Sequence, residues 1–273
     1  MKKLDYTINV GGRLMSLDSP RVMGILNLTP DSFYSQSRVQ TEEQVRQRVR
    51  QITDEGGDLI DVGACSTRPG SAPASAAEEM ERLREGLTWV RREAPDAVLS
   101  VDTFRADVAR MCVEEFGVAI VNDVSGGEAD ADMFAAVAQM GVPYVLTFPH
   151  AENVHVFFAE KVQRLRELGQ KDILLDPGFG FGKTLDDNYA LLSRLQTLRV
   201  FELPLLIGVS RKSMIQRVLG VDADHALNGT TVVHTLCLQM HCAQVLRVHD
   251  VRAAVEAVKL TQFIKDFKEK KGC

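Results

Sequence analysis

The feature that most restricts this chain is an alternation. Eight short apolar runs recur along it, and each is followed by a segment with helical spacing. The runs are Val22–Asn27, Leu59–Gly63, Val98–Val101, Ala119–Val121, Tyr144–Phe148, Asp172–Asp176, Pro204–Val209 and Val245–Val248. Their length and branching predict strands buried on both faces. A helix between successive strands gives the right-handed crossover that a parallel sheet requires. Eight such units predict an α/β fold, a (β/α)8 TIM barrel. Residues 1–273 read as a single domain, because about 250 residues suffice for one such barrel and no linker or low-complexity segment divides the chain. A doubly wound open sheet is the second candidate, but no GxGxxG turn follows the first strand.

The punctuation between runs agrees. Thr41-Glu42-Glu43-Gln44 forms a capping-box pattern, and Val45, Val49 and Ile52 follow at helical spacing up to Gly56-Gly57. Further helices are predicted at Ala76–Arg92, Arg105–Glu115, Asp132–Met140, Phe157–Leu168, Asp187–Leu198, Met214–Leu219, Thr230–Cys242 and Val251–Lys268. Ahead of the first unit, Tyr6–Val10 and Arg13–Leu17 flank Gly11-Gly12 and predict an N-terminal β-hairpin outside the repeat.

Composition removes several functions. The formal net charge is −5, so the basic excess of a nucleic-acid binder is missing. The Lys265–Lys271 run reads as the solvated end of a helix. No apolar run reaches membrane-spanning length, and the N-terminus lacks the apolar core of a secretory signal. The five cysteines, Cys65, Cys112, Cys237, Cys242 and Cys273, are odd in number and include no CxxC pair. That pattern predicts reduced thiols in a cytoplasmic protein.

Most of the strands end on polar residues. In a barrel these ends converge on one face, where active sites are built. Asp176-Pro177-Gly178-Phe179-Gly180-Phe181-Gly182-Lys183 is the densest example. A carboxylate at the mouth of a buried strand needs a partner, and glycines beside it let backbone N–H groups approach a ligand. Asp102, Asn122 and Asp176 are acidic and amide acceptors suited to a planar heterocycle. Asn27, Arg68, Ser210, Arg211, Arg247 and His249 are donors or cations suited to an anion, phosphate above all, and Lys212 can serve either side. The expected ligand is a polar ring attached to a phosphate.

Several runs together carry a resemblance. They are Gly24-Ile25-Leu26-Asn27-Leu28-Thr29-Pro30-Asp31-Ser32-Phe33, Ser66-Thr67-Arg68-Pro69-Gly70, Ser100-Val101-Asp102-Thr103 and Asn122-Asp123-Val124-Ser125-Gly126-Gly127. The Asp176–Lys183 run, Ser210-Arg211-Lys212-Ser213 and Arg247-Val248-His249-Asp250 complete the set. In this order they resemble the dihydropteroate synthase family of pterin-binding enzymes. The resemblance implies a transferase of folate biosynthesis that joins 4-aminobenzoate to (7,8-dihydropterin-6-yl)methyl diphosphate and releases diphosphate. It implies that Asp102, Asn122, Asp176 and Lys212 hold the pterin, with Phe181 and Gly208 beside it. Arg68, Arg247 and His249 would bind the diphosphate, and Asn27 would ligate Mg2+. Phe33, Thr67, Arg68, Pro69 and Ser213 would shape the aminobenzoate site. Asp102, Asp176, Lys212 and Arg247 would carry the catalysis, while the loops at Asp31–Gln36 and Ser66–Ser71 close over the substrates. It also implies a homodimer, for which the many-faced apolar helix at Thr230–Cys242 is the expected contact.

The chain departs from the family pattern after the fifth strand. A Met-His-Met-type run is replaced by Thr147-Phe148-Pro149-His150, and the connection that follows is short. Phe148 is the expected apolar substitute in the pterin pocket. In the second loop, Ala64-Cys65 replaces the usual Gly-Glu or Gly-Gly, and no histidine partner makes Cys65 a nucleophile. Two other readings are a pterin-binding paralogue without turnover and a methyltetrahydrofolate-to-corrinoid methyltransferase. The latter has no diphosphate to bind, against the Ser210–Ser213 and Arg247–Asp250 runs.

Overall fold

A computed structural model of the chain describes residues 5–28, 41–64 and 74–271. Strands β1 (Thr7–Val10) and β2 (Arg13–Ser16) pair antiparallel across Gly11-Gly12. The remaining strands are β3 (Arg21–Asn27), β4 (Leu59–Gly63), β5 (Val98–Asp102), β6 (Ile120–Asp123), β7 (Tyr144–Thr147), β8 (Ile173–Asp176), β9 (Leu206–Ile207) and β10 (Val245–Val248). They form one 8-stranded sheet in the order β8-β7-β6-β5-β4-β3-β10-β9, and every pairing is parallel. The ends of that order meet: Leu175 bridges Leu205, and the Leu175 N–H donates to the Pro204 carbonyl at 2.9 Å. The sheet therefore closes into the expected barrel, with the hairpin outside the repeat.

Helices α1 (Glu42–Asp54), α2 (Ala76–Glu93), α3 (Ala106–Phe116), α4 (Met133–Met140), α5 (Val154–Glu167) and α6 (Leu185–Ser193) connect the strands up to β9. Helices α7 (Ser213–Leu219) and α8 (Leu227–Gln239) follow β9, and α9 (Val251–Lys271) follows β10. The capping box predicted at Thr41 and Gln44 is present. Two more, Ser75 with Glu78 and Thr184 with Asp187, start α2 and α6. The Thr184 cap moves α6 ahead of the predicted Asp187 start, and the rest of that segment continues as a 3-10 turn at Leu195–Phe201. The seventh strand is shorter than predicted. Pro204 has no N–H for a ladder, and the chain turns away beyond Ile207. No helix among the described residues is long and apolar enough to cross a membrane.

Alternation along the strands separates two cores. One lies between sheet and helices and holds residues such as Leu26, Val62, Val101, Leu146 and Leu175. The other fills the N-terminal end of the barrel: Met23, Leu59, Ile120, Val145, Leu174, Leu206 and Val245 point inward, and Ile8, Val10 and Leu17 of the hairpin region close that end. Two residues further along each strand the same inward row reads Ile25, Asp61, Asn122, Thr147, Asp176, Gly208 and Arg247. Apolar packing thus fixes the floor, and polar groups gather toward the C-terminal mouth. Arg48 on α1 ties two strand ends there, donating to the carbonyls of Ile25 at 3.1 Å and His249 at 2.6 Å.

Candidate active site

The centre of the mouth is Arg247 on β10. Its Nε donates to Asp61 Oδ2 on β4 at 2.6 Å, and its Nη2 donates to Asp102 Oδ2 at the end of β5 at 2.6 Å. Asn122 on β6 joins the cluster by donating Nδ2–H to Asp61 Oδ2 at 3.0 Å. Burial alone lowers the proton affinity of a guanidinium, but Asp61 and Asp102 outweigh it, and Arg247 is held more firmly charged than usual. Asp102 is pushed up to about 7, first by burial, with Arg247 opposing and Asp61, Glu79 and Asp123 reinforcing the rise.

The end of β8 supplies the second half. Asp176 is buried and raised above the usual carboxylate range by that burial, while Lys212 and the Gly178 N–H pull it back. The Gly178 N–H reaches Asp176 Oδ1 at 2.8 Å. Lys212 is lowered to about 8 by burial, with Asp176 acting to hold its proton. Its ammonium donates to the Phe179 carbonyl and lies 4.4 Å from the centre of the Phe181 ring. A side chain at Gly208 would begin 3.7 Å from Asp176 Oδ2, so glycine there leaves room beside the carboxylate. The turn itself is held by Lys183, which donates to the carbonyls of Phe148, Gly178 and Phe181 at 2.9, 2.8 and 3.2 Å.

Asn27 ends β3 next to these groups. A side chain built at Gly63 would begin 3.6 Å from Asn27 Oδ1 and 3.8 Å from Asp102 Oδ2. The amide oxygen and the Asp102 carboxylate therefore face one small space. His249 follows β10, and its ring contacts Ser210 Oγ through Nδ1 at 3.0 Å. Burial, then Arg247, lowers it to about 3, so His249 is a neutral hydrogen-bonding ring. Ser213 opens α7 beside Lys212 and is exposed. Phe33, Thr67, Arg68 and Pro69, together with Cys65 and the two loops expected to close, lie outside the described residues.

Two expectations are corrected. Arg211 already has its guanidinium engaged within the protein. Its φ of 53° turns the chain, and its Nε and Nη2 grip Asp250 at 2.7 and 2.8 Å while Nη1 donates to the carbonyls of Ala223 and Asp224. Phe148 does not line the mouth. Thr147 takes the inward position on β7, and the Phe148 ring packs outward against Phe157 and Phe158 at 5.2 and 6.1 Å between centroids. Asp61 is a member of the site that the strand-end pattern does not mark. Its signal was a carboxylate in the middle of an otherwise apolar strand, which has to be paired.

Within the cup, four buried polar atoms without a partner among the described residues mark where a ligand would bond: Asp61 Oδ1, Ser100 Oγ, Asn122 Oδ1 and Thr147 Oγ1. All four sit on inward-facing positions of neighbouring strands β4 to β7. The cup offers acceptors and a hydroxyl toward a polar ring, with Lys212 and Arg247 as fixed cations.

Comparison with known proteins follows the same line. The family model described as pterin binding enzyme matches residues 23–249. Dihydropteroate synthase of Escherichia coli is 35% identical over 277 residues, covering 95% of this chain and 97% of that protein. The Bacillus subtilis dihydropteroate synthase is 34% identical, covering 88% of this chain and 86% of that one. Among solved structures, the Yersinia pestis dihydropteroate synthase with a sulfonamide drug complex superposes with a TM-score of 0.89 at 34% identity, covering 96% of this chain and 100% of that chain. The Xanthomonas albilineans dihydropteroate synthase with 4-aminobenzoic acid gives 0.85 at 34% identity, covering 96% of this chain and 98% of that chain. By family model, by sequence relatives and by superposition, this chain belongs to the pterin-binding enzymes, within the dihydropteroate synthase family.

Proposed function

We propose that this chain condenses 4-aminobenzoate with (7,8-dihydropterin-6-yl)methyl diphosphate to give 7,8-dihydropteroate and diphosphate, a step of folate biosynthesis. The observation that carries the reading is the sharing of one buried cup by Asn122, Asp176 and Asp102 as acceptors and by Lys212 and Arg247 as cations. Asn122, Asp176 and the neighbouring unpaired polar atoms orient the pterin, with Phe181 and Gly208 beside it. Arg247, neutral His249 and Arg68 take the diphosphate. Phe33, Thr67, Arg68, Pro69 and Ser213 take the aminobenzoate.

The chemistry follows from where charge develops. As the C–O bond to the leaving diphosphate lengthens, positive charge grows on the exocyclic methylene and spreads into the ring. Asp102 and Asp176 stabilise that charge in a site of low polarity, and Arg247 stabilises the departing anion. The arylamine then attacks the methylene carbon and loses its proton. No strong nucleophile is required, in keeping with Cys65 having no part in the step.

Mg2+ belongs to this proposal. The donor set fits it: Asn27 presents a hard amide oxygen beside the Asp102 carboxylate. Mg2+ commonly takes one or two protein oxygens and completes its shell with substrate phosphates and water. Asn27 would hold the ion, which supplies charge neutralisation to the diphosphate when bound.

A homodimer belongs to it as well. Val232 and Leu236 on α8 and Leu260, Phe263, Ile264 and Phe267 on α9 are exposed, and α8 packs on α9. A second copy covering these faces accounts for so much exposed apolar surface. The cytoplasmic setting expected from the cysteine pattern is part of the same reading.

The deciding assay is diphosphate release from both purified substrates, with and without Mg2+. Release requiring both substrates supports the proposal. Pterin binding without release overturns it in favour of a non-catalytic pterin binder. Light scattering at monomer mass would overturn the dimer.

A further inference from the structure

Besides the bond that its Oδ1 offers a ligand, we propose that Asp61 is a positioning residue, its Oδ2 setting the direction of both the Arg247 guanidinium and the Asn122 amide for the pterin diphosphate. The proposal rests on the pterin reading of the cup. Asp61 lies mid-strand on β4 and is fully buried. A buried carboxylate contributes little to stability over an apolar side chain of similar volume, so its presence calls for another reason.

Geometry supplies one. A single oxygen, Asp61 Oδ2, receives Asn122 Nδ2–H at 3.0 Å and Arg247 Nε–H at 2.6 Å. A carboxylate only accepts, so the Asn122 amide has one acceptable orientation: NH2 toward Asp61, carbonyl away. The Asn122 oxygen is thereby left buried and without a partner among the described residues. It is a fixed acceptor for a ring N–H or exocyclic amine. A pterin that lacked that donor would leave the oxygen unsatisfied, which is how a buried polar site discriminates.

The same oxygen orients Arg247. Nε and Nη2 of a guanidinium lie along one edge, and Asp61 and Asp102 occupy that edge at 2.6 Å each. The opposite edge, with Nη1, makes no bond to the described residues and is the fork a phosphate oxygen pair would take. One carboxylate therefore links recognition of the ring to recognition of the leaving group.

The test replaces Asp61 by asparagine. Asp61→Asn keeps the shape but can donate as well as accept, so it no longer fixes the Asn122 amide and no longer opposes the charge on Arg247. The expected result has two parts. The Kd for 6-hydroxymethyl-7,8-dihydropterin, read by calorimetry, rises at least about 10-fold. The KM for the dihydropterin diphosphate rises similarly, while the KM for 4-aminobenzoate stays within about threefold. A merely structural role would lower kcat through the active fraction and leave both KM values and the Kd alone, and that outcome would overturn the proposal. Binding of the pterin alone separates the two inferences. Wild-type protein that binds pterin and releases no diphosphate refutes the enzymatic reading, while the Kd comparison still decides Asp61. Should Asp61→Asn not fold, hydrogen exchange of the Asn122 side-chain amide in the wild type reads the same contact. Slow exchange supports the orientation, and exchange at the rate of exposed amides overturns it.

Discussion

Arg247 Nη2 donates to Asp102 Oδ2 across 2.6 Å, yet Asp102 is still pushed up to about 7. Burial is the larger effect, and Asp61, which shares the same guanidinium, adds to it. A carboxyl held above its unfolded value of 3.8 binds its proton more tightly in the folded chain. Its contribution to stability is therefore complete below that value and lost as pH rises through about 7. The thermal midpoint of the free protein is expected to fall between about pH 5 and about pH 8, and Asp102→Asn is expected to flatten that fall. A midpoint slope unchanged in the variant would refute the assignment. In the proposed mechanism turnover needs Asp102 ionised and Lys212 charged, and Lys212 is lowered to about 8. The rate is thus expected to climb through about 7 and decline above about 8, as read from kcat/KM for the pterin substrate.

Arg211 and Asp250 form a two-pronged pair at 2.7 and 2.8 Å, with the Arg211 side chain 6% exposed. The remaining arm fixes the Ala223 and Asp224 carbonyls, and the Arg211 N–H donates to Thr230 Oγ1 at 3.0 Å. Removing one member of a buried pair costs about 3–5 kcal/mol because the other charge is stranded. Arg211→Ala is expected to lose that much in urea unfolding. Arg211→Lys recovers little, since an ammonium cannot reproduce the planar fork. Inhibition by added diphosphate is expected to stay within about threefold in whatever Arg211→Lys folds, in contrast to a residue that grips the anion.

Much of this was legible in the chain. Apolar runs closed by Asn27, Asp102, Asn122, Asp176 and His249, the last just after Arg247, specified both the barrel and the end of it that carries the polar cup. What escaped was side-chain direction. Arg211 sits in the same polar run as Lys212, and only its positive φ aims it at Asp250. Thr147 ends β7 and Phe148 follows it, and continuing the strand period puts Phe148 outward and Thr147 inward. Asp61 is hidden for the opposite reason: it lies inside a strand, where the polar pattern of strand ends gives no signal. Its partners, Asn122 and Arg247, are distant in sequence, and only closure of the barrel brings them together.

The outward position of Phe148 separates two consequences of removing it. The residue is 1% exposed, and its ring packs on Phe157, Phe158 and the Lys183 ammonium, the last at 4.6 Å from the centroid. Truncating a buried phenylalanine costs about 3–5 kcal/mol. Phe148→Ala is expected to show that loss in chemical denaturation while the pterin KM of the folded protein moves less than about threefold. A KM rise of about 10-fold at unchanged stability would put the ring in the pocket after all.

Gly178 connects that outer packing to the Asp176 carboxylate. Its φ is 68°, and a side chain there would begin 2.0 Å from the Phe148 carbonyl oxygen and 2.9 Å from its carbon. Both obstacles are backbone, so no rotamer change relieves them. The Gly178 N–H meanwhile holds Asp176 Oδ1 at 2.8 Å. Gly141 is the natural control, because its φ is 67° but nothing lies within 4 Å of the added carbon. Gly141→Ala is expected to cost only the left-handed backbone term, about 1–2 kcal/mol. Gly178→Ala carries that term plus the clash, so the expected loss in denaturant unfolding is clearly larger. Any turn that moves to admit the methyl also releases Asp176, and the pterin KM of the surviving protein is expected to rise while that of Gly141→Ala does not. Equal losses at the two glycines would mean that the turn after β8 yields freely and does not fix Asp176.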